Sequence, residues 1–103
     1  MSTRLSELLR FRELQPDDPF VVYALALEYR SLGDLAEAEA LFEKLLLAHP
    51  DYVPQYLMYG KLLFGELGKR DRAIEVLKLG IGEAQKAGNR HAENELRAEL
   101  ETY

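Results

Sequence analysis

The sequence predicts an all-α fold built from antiparallel helical hairpins. Three observations carry this: apolar residues recur at helical spacing, no segment alternates with period two for long enough to be a strand, and one turn-and-helix block occurs twice. The block is Gly33-Asp34-Leu35-Ala36-Glu37-Ala38, with Phe42 and Pro50 following. Moved by 35 residues, Gly33 falls on Gly68, Ala38 on Ala73 and Phe42 on Leu77. Upstream residues match better with a slide of 34, which puts Val22 on Tyr56, Leu25 on Tyr59, Ala26 on Gly60 and Tyr29 on Leu63. The second copy therefore carries one extra residue between Gly60 and Gly68.

Six helices are expected, over residues 3–14, 18–32, 35–48, 52–67, 70–87 and 90–101. The first resembles the second helix of an incomplete hairpin: Leu8 stands where Phe42 stands, Pro16 where Pro50 stands, and Arg4 takes the place of the small Ala38. Asp18-Pro19 opens the second helix as an N-cap followed by proline in the first helical position. Gly33 suits the left-handed residue that ends it. Asp34-x-x-Glu37 then has the form of a capping box opening the third helix. His49-Pro50-Asp51 is expected to stop the third helix and cap the fourth; Gly68 ends the fourth, and Gly88-Asn89 the fifth. Residues 90–101 read as the first helix of an unfinished hairpin, with the polar outer face that a terminal repeat requires. The whole, 1–103, is expected to form a single domain, with full hairpins at about 19–51 and 53–87 between the helix 3–14 and the capping helix 90–101. Connections this short force neighbouring helices antiparallel.

Val22, Leu25, Ala26 and Tyr29 follow the i, i+3, i+4, i+7 spacing of a buried stripe. Small residues at Ala26, Gly60, Ala38 and Ala73 let the helices of each hairpin approach closely. From Tyr56 to Gly65 only Lys61 is charged, as expected of a helix buried on most sides.

Composition narrows the function. The chain has 48% hydrophobic and 30% charged residues and no cysteine, so disulfides and thiolate metal sites are excluded. The start of the sequence lacks the apolar stretch of a signal peptide, and no apolar run approaches a membrane span, so no membrane partner and a cytoplasmic location are expected. A net charge of −5 repels a phosphate backbone, so no nucleic-acid partner is expected. The best basic run, Lys69-Arg70-Asp71-Arg72, contains an acid and sits at a helix start.

These residues together resemble the tetratricopeptide repeat family, in its short two-repeat bacterial form, across nearly the whole chain. The first copy supplies Val22, Leu25, Ala26, Tyr29, Gly33, Asp34, Ala38, Phe42 and Pro50; the second supplies Tyr56, Tyr59, Gly60, Leu63, Gly68, Ala73 and Leu77. Leu45 and Gly80 stand at the family's second alanine, and Gln85 replaces the closing proline. The resemblance implies a short right-handed superhelix whose concave face, lined by the first helix of each hairpin, binds a peptide or helix of a partner protein. Carried over by position, that face holds Phe20, Tyr23, Leu27 and Arg30, then Leu57, Lys61 and Phe64. The alternative is that flanking helices cover the hollow and these apolar residues are core. The lysine and asparagine clamp that some members use for chaperone tails is not expected, because Tyr23 and Leu27 occupy two of its positions. A second reading is a self-associating module forming a homo-oligomer.

No chemistry-bearing constellation emerges, and neither an enzyme nor a cofactor is expected. His49 lies at a helix end, and His91 has only Glu95 at i+4, whereas a metal site needs at least three protein ligands. Glu37, Glu39 and Glu43, and Glu93, Glu95, Glu99 and Glu101, are interleaved with Lys44 and Arg97 as on solvated helix faces. Gly80-Ile81-Gly82 lies inside a predicted helix and lacks the strand–turn–helix context of a dinucleotide loop; Gly80 reads as a close-packing position.

Overall fold

A computed structural model describes residues 2–103. Among them stand six helices and no strand: α1 (Thr3–Leu14), α2 (Pro19–Ser31), α3 (Leu35–Ala48), α4 (Pro54–Lys61), α5 (Arg70–Lys86) and α6 (Arg90–Glu101). A π-helical turn, Leu62–Glu66, continues α4. Residues up to His49 form one compact unit, and Pro50–Tyr103 form another.

In the first unit the caps read from the sequence are in place. Asp18 Oδ1 accepts from Phe20 N at 2.9 Å, and Pro19 occupies the first turn, where its missing N–H costs nothing. Gly33 adopts φ 82°, which an L side chain resists, and so turns α2 into α3. Asp34 Oδ1 accepts from Glu37 N at 3.3 Å, but the reciprocal half of the expected capping box is superseded: Asp34 N already donates to Tyr29 O at 2.9 Å. Leu25, Ala26, Ala38 and Phe42 are fully buried. The expected stripe is complete except at Tyr29, which is only half-buried. α1 ends as α3 does. Gln15 (φ −138°, ψ 69°) and His49 (φ −139°, ψ 69°) have matching backbones, each donating N–H to the carbonyl four residues back, Phe11 and Leu45. That likeness supports α1 as a second helix without its first.

Arg4, at the small-residue position, is accommodated by turning outward to Glu28 of α2 at 3.3 Å. Ser2 does two jobs. Its Oγ accepts from Leu5 N at 3.2 Å, capping α1, and donates to Glu28 Oε1 at 3.1 Å. The start of α1 is thereby tied to the last turns of α2, the antiparallel arrangement that a short connection imposes.

In the second unit α4 begins at Pro54, two residues later than expected, and Asp51 does not cap it. The N-cap is Val53, which makes no side-chain bond; Pro54 in the first turn sets the helical φ and removes a donor that would need a cap. Tyr56, Tyr59, Gly60, Leu62 and Leu63 are buried, together with Gln55. The small residues do what their positions suggested. A Cβ on Gly60 would lie 2.6 Å from Leu77 Cδ2, and one on Gly80 would lie 2.7 Å from Tyr56 Cγ and 3.1 Å from Leu96 Cδ1. Those pairs run in opposite senses along α4 and α5, so the hairpin is antiparallel. Tyr56 also reaches back, its hydroxyl donating to Pro50 O. α5 ends at Lys86, past the missing proline, and Gly88 at φ 67° turns the chain into α6, whose N-cap Asn89 accepts from Ala92 N at 3.0 Å.

The extra residue of the second copy is absorbed by the π turn. In α2 and α5 the terminal bond spans five residues, from Asp34 N to Tyr29 O and from Asn89 N to Ala84 O, both 2.9 Å. After α4 the equivalent bond spans six, from Lys69 N to Leu63 O at 2.7 Å, with Leu67 N donating to Leu62 O at 3.0 Å beneath it. One residue is thus taken up as a widened turn, and Gly68 still reaches φ 65°.

Gly80→Ala should destabilise the fold by about 1–3 kcal/mol through overpacking against the Tyr56 stem, and so lower the thermal midpoint. Gly82→Ala, with nothing within 4 Å of its added Cβ, should raise stability by about 1 kcal/mol through helix propensity. Paired thermal melts check both signs. Deleting Gly65 should leave a folded, fully helical protein, because the remaining residues close an ordinary α turn. Deleting Tyr59 should not, because it rotates the buried stripe by about 100°; circular dichroism of the two deletions distinguishes them.

Candidate functional site

The positions carried over from the resemblance fall on α2 in the first unit and on α4 with its π turn in the second. Along α2, Phe20 is 57% exposed, while Tyr23, Leu27 and Arg30 are half-buried. The intervening Val21, Val22, Ala24, Leu25 and Ala26 are buried, so these four form the outward row of an amphipathic helix. They are not equally free to meet a partner. The Tyr23 ring packs edge-to-face on Phe42 of α3, with centroids 6.4 Å apart and planes at 69°, and burial pushes its hydroxyl pKa above the usual value. Tyr23 is therefore partly core, and Phe20 is the open end of the row.

On α4, Leu57 is half-buried, Lys61 is half-buried and Phe64 is 37% exposed. Here α6 supplies side chains to the same face. Lys61 Nζ lies 4.0 Å from Glu99 Oε1, and Phe64 stacks on Tyr103 with centroids 4.0 Å apart and planes 12° from parallel. Arg70 donates to the Tyr103 carbonyl from Nε at 2.9 Å and Nη2 at 2.6 Å. A stack of this kind contributes roughly 0.5–1.5 kcal/mol. The long Lys61–Glu99 pair, both side chains partly in water, contributes at most about 1 kcal/mol. Burial first, then the neighbouring Glu99 carboxylate, hold the Tyr103 hydroxyl well above the usual phenol range.

Glu99, Tyr103 and Arg70 were not among the site residues read from the sequence. The carboxylate of Glu99 sat in a run of acids, and Arg70 sat in the basic run weighed for nucleic acid. Only the tertiary placement of α6 beside α4 brings them to Lys61 and Phe64. In the same basic run, Arg72 is paired with Glu75.

His91 Nε2 lies 3.0 Å from Glu95 Oε1 on an exposed face, and no group of three or more potential metal-binding side chains occurs among the described residues. Glu93 accepts from Gln85 of α5 at 3.0 Å and from Arg97 at 3.1 Å, and these bonds, in that order, hold its carboxyl below the usual range. Among the described residues no helix is long and apolar enough to cross a membrane.

Comparison with known proteins gives this arrangement its family. The profile of the tetratricopeptide repeat family matches residues 29–100. The chain belongs to the tetratricopeptide repeat family. It is similar to a tetratricopeptide repeat domain protein from Salinibacter ruber, known in two structures. The crystal structure is 38% identical over 82% of this chain and 93% of that one, with a TM-score of 0.77. The solution structure is 38% identical over 85% and 88%, with a TM-score of 0.81. No curated protein matches the chain. Tetratricopeptide repeat domains generally mediate protein–protein interactions and are typically not enzymes.

The buried tyrosines predict an alkaline limit. Burial first, then Glu83 and Asp51, push Tyr56 up to about 12. Because the folded state keeps this proton more tightly than the unfolded chain does, the associated stability is complete below pH 10 and is lost as pH rises to about 12. Melts of wild type should fall across that window, and Tyr56→Phe should flatten the decline even if its midpoint at neutral pH is lower.

Proposed function

We propose that this chain is a non-enzymatic protein-interaction module, acting as a cytoplasmic adaptor that holds a peptide or helix of a partner on the faces of its first helices. Phe20, Tyr23, Leu27 and Arg30 form the contact row on α2, and Leu57, Lys61 and Phe64 the row on α4. The observation that carries the reading is Phe20. A large aromatic ring 57% exposed heads a row of half-buried side chains on a helix that buries Val21, Val22, Ala24, Leu25 and Ala26 on its other side. Aromatic side chains of this kind, beside an arginine, are the usual anchors of protein interfaces. An amphipathic helix or extended segment would cover the row with its own apolar face.

The second reading is self-association, and α1 is the feature that favours it. Phe11 and Leu14 are 53% and 76% exposed, and with Glu7 and Arg10 they line a shallow hollow of about 260 Å³. Light scattering across a concentration series decides this point: a constant monomer mass removes it.

Capture from a lysate of the source organism tests the leading reading, with Phe20→Glu/Arg30→Glu as the control bait once its circular dichroism matches wild type. The expected outcome is a protein enriched by wild type and lost with the control, which then binds the purified chain about ten-fold or more tightly than the control, the scale of a single hot spot. Identical captures by the two baits would reject the α2 row.

A further inference from the structure

The face of α4 in the second unit is met by one short stretch that closes α6. Glu99 reaches Lys61, Tyr103 stacks on Phe64, and the Tyr103 carbonyl takes both Arg70 bonds. The spacing is regular: Lys61 and Phe64 are separated by about one turn, Glu99 and Tyr103 likewise, and the order of the pairs makes the two helices parallel. On the α4 side these contacts stand partly in water, although the Glu99 side chain is only 23% exposed. Leu96 is the buried residue of α6, at 1% exposure against Gly80, whereas Phe64 is 37% exposed and the Lys61 side chain 43%. Residues 99–103 thus lie beyond Leu96, the side chain that seats α6 on α5.

We propose that Glu99–Tyr103 is an internal latch on the interaction face of α4, and that the partner this face fits is a peptide carrying a carboxylate and, four residues on, an aromatic ring. Lys61 would take its carboxylate, Phe64 its ring and Arg70 the main-chain carbonyl at the ring residue. Two cations flanking one exposed ring favour such an acidic, aromatic segment and disfavour a basic one. The inference rests on the reading of the chain as an interaction module and specifies the ligand of one of its faces. A latch that is closed most of the time leaves an apparent affinity equal to the intrinsic one multiplied by the fraction open.

The test uses the full chain and a fluorescent peptide with the sequence of residues 97–103, Arg-Ala-Glu-Leu-Glu-Thr-Tyr. The peptide should bind Glu99→Gln/Tyr103→Ala about ten-fold more tightly than wild type, as expected when an occupied site is vacated. Adding Arg70→Glu should abolish that binding, as should replacing the peptide's tyrosine by alanine. Equal affinity for wild type and the folded variant, or no binding to the variant, overturns the latch. Hydrogen exchange on unaltered protein gives an independent reading should the variant not fold. Amides of residues 99–103 should exchange well before those around Leu96, and equal protection overturns the proposal. Loss of the latch alone leaves capture through Phe20 intact, so this failure is distinguishable from failure of the parent reading.

Discussion

Gly80 lies against the stem of Tyr56 on one side and Leu96 on the other, and the second unit is organised around that contact. A glycine inside a seventeen-residue helix is unfavourable on propensity grounds, by about 1 kcal/mol. It is retained because the close approach it permits lets one helix be covered by two neighbours at once. Once α5 is fixed against both α4 and α6, those two must run side by side in the same direction. The meeting of Lys61 with Glu99 and of Phe64 with Tyr103 is a consequence of that geometry, and neither pair is strong enough to impose it.

The turns complete the arrangement. Where Gly33 and Gly68 reverse the chain, left-handed backbone and a terminal hydrogen bond close each helix within two residues. Tight reversals leave no slack, so the face a helix presents is set by its register alone. In α2 that register buries an apolar stripe and leaves Phe20 at the edge, which is why an exposed aromatic ring coexists with a packed core. The first unit also secures its leading end by charge and hydrogen bonding, with Glu28 receiving both Ser2 and Arg4, at a position where its repeat counterpart would have used a small side chain.

Much of this was legible in the sequence. Helix number, the caps at Asp18 and Asp34, the reversals at Gly33, Gly68 and Gly88, and the close-packing roles of Gly60 and Gly80 are local or periodic properties, and periodicity reports them directly. The start of α4 was misplaced because Asp51 looks like a cap whereas Pro54, three residues on, sets the boundary. The face of α4 was read as open or covered without resolution, because its neighbours come from residues nearly forty positions later. Acids at regular spacing on α6 carry no mark that singles out Glu99, and Tyr103 stands outside any repeat pattern. Contacts between helices two apart in order depend on packing angles, which composition and spacing do not encode.

The widened turn at Leu62–Glu66 has a bearing on how repeats of this kind are counted. It lets a hairpin lengthen by one residue while the buried stripe before it and the reversing glycine after it both keep their places. Copy length is therefore a poor measure of kinship between such hairpins. A comparison that holds the period fixed at about 34 residues will align either the first helix or the turn of this second hairpin, never both. Allowing a single-residue slip inside the first helix recovers the two halves together, and other chains in which only one hairpin is recognised are the natural place to look for a second.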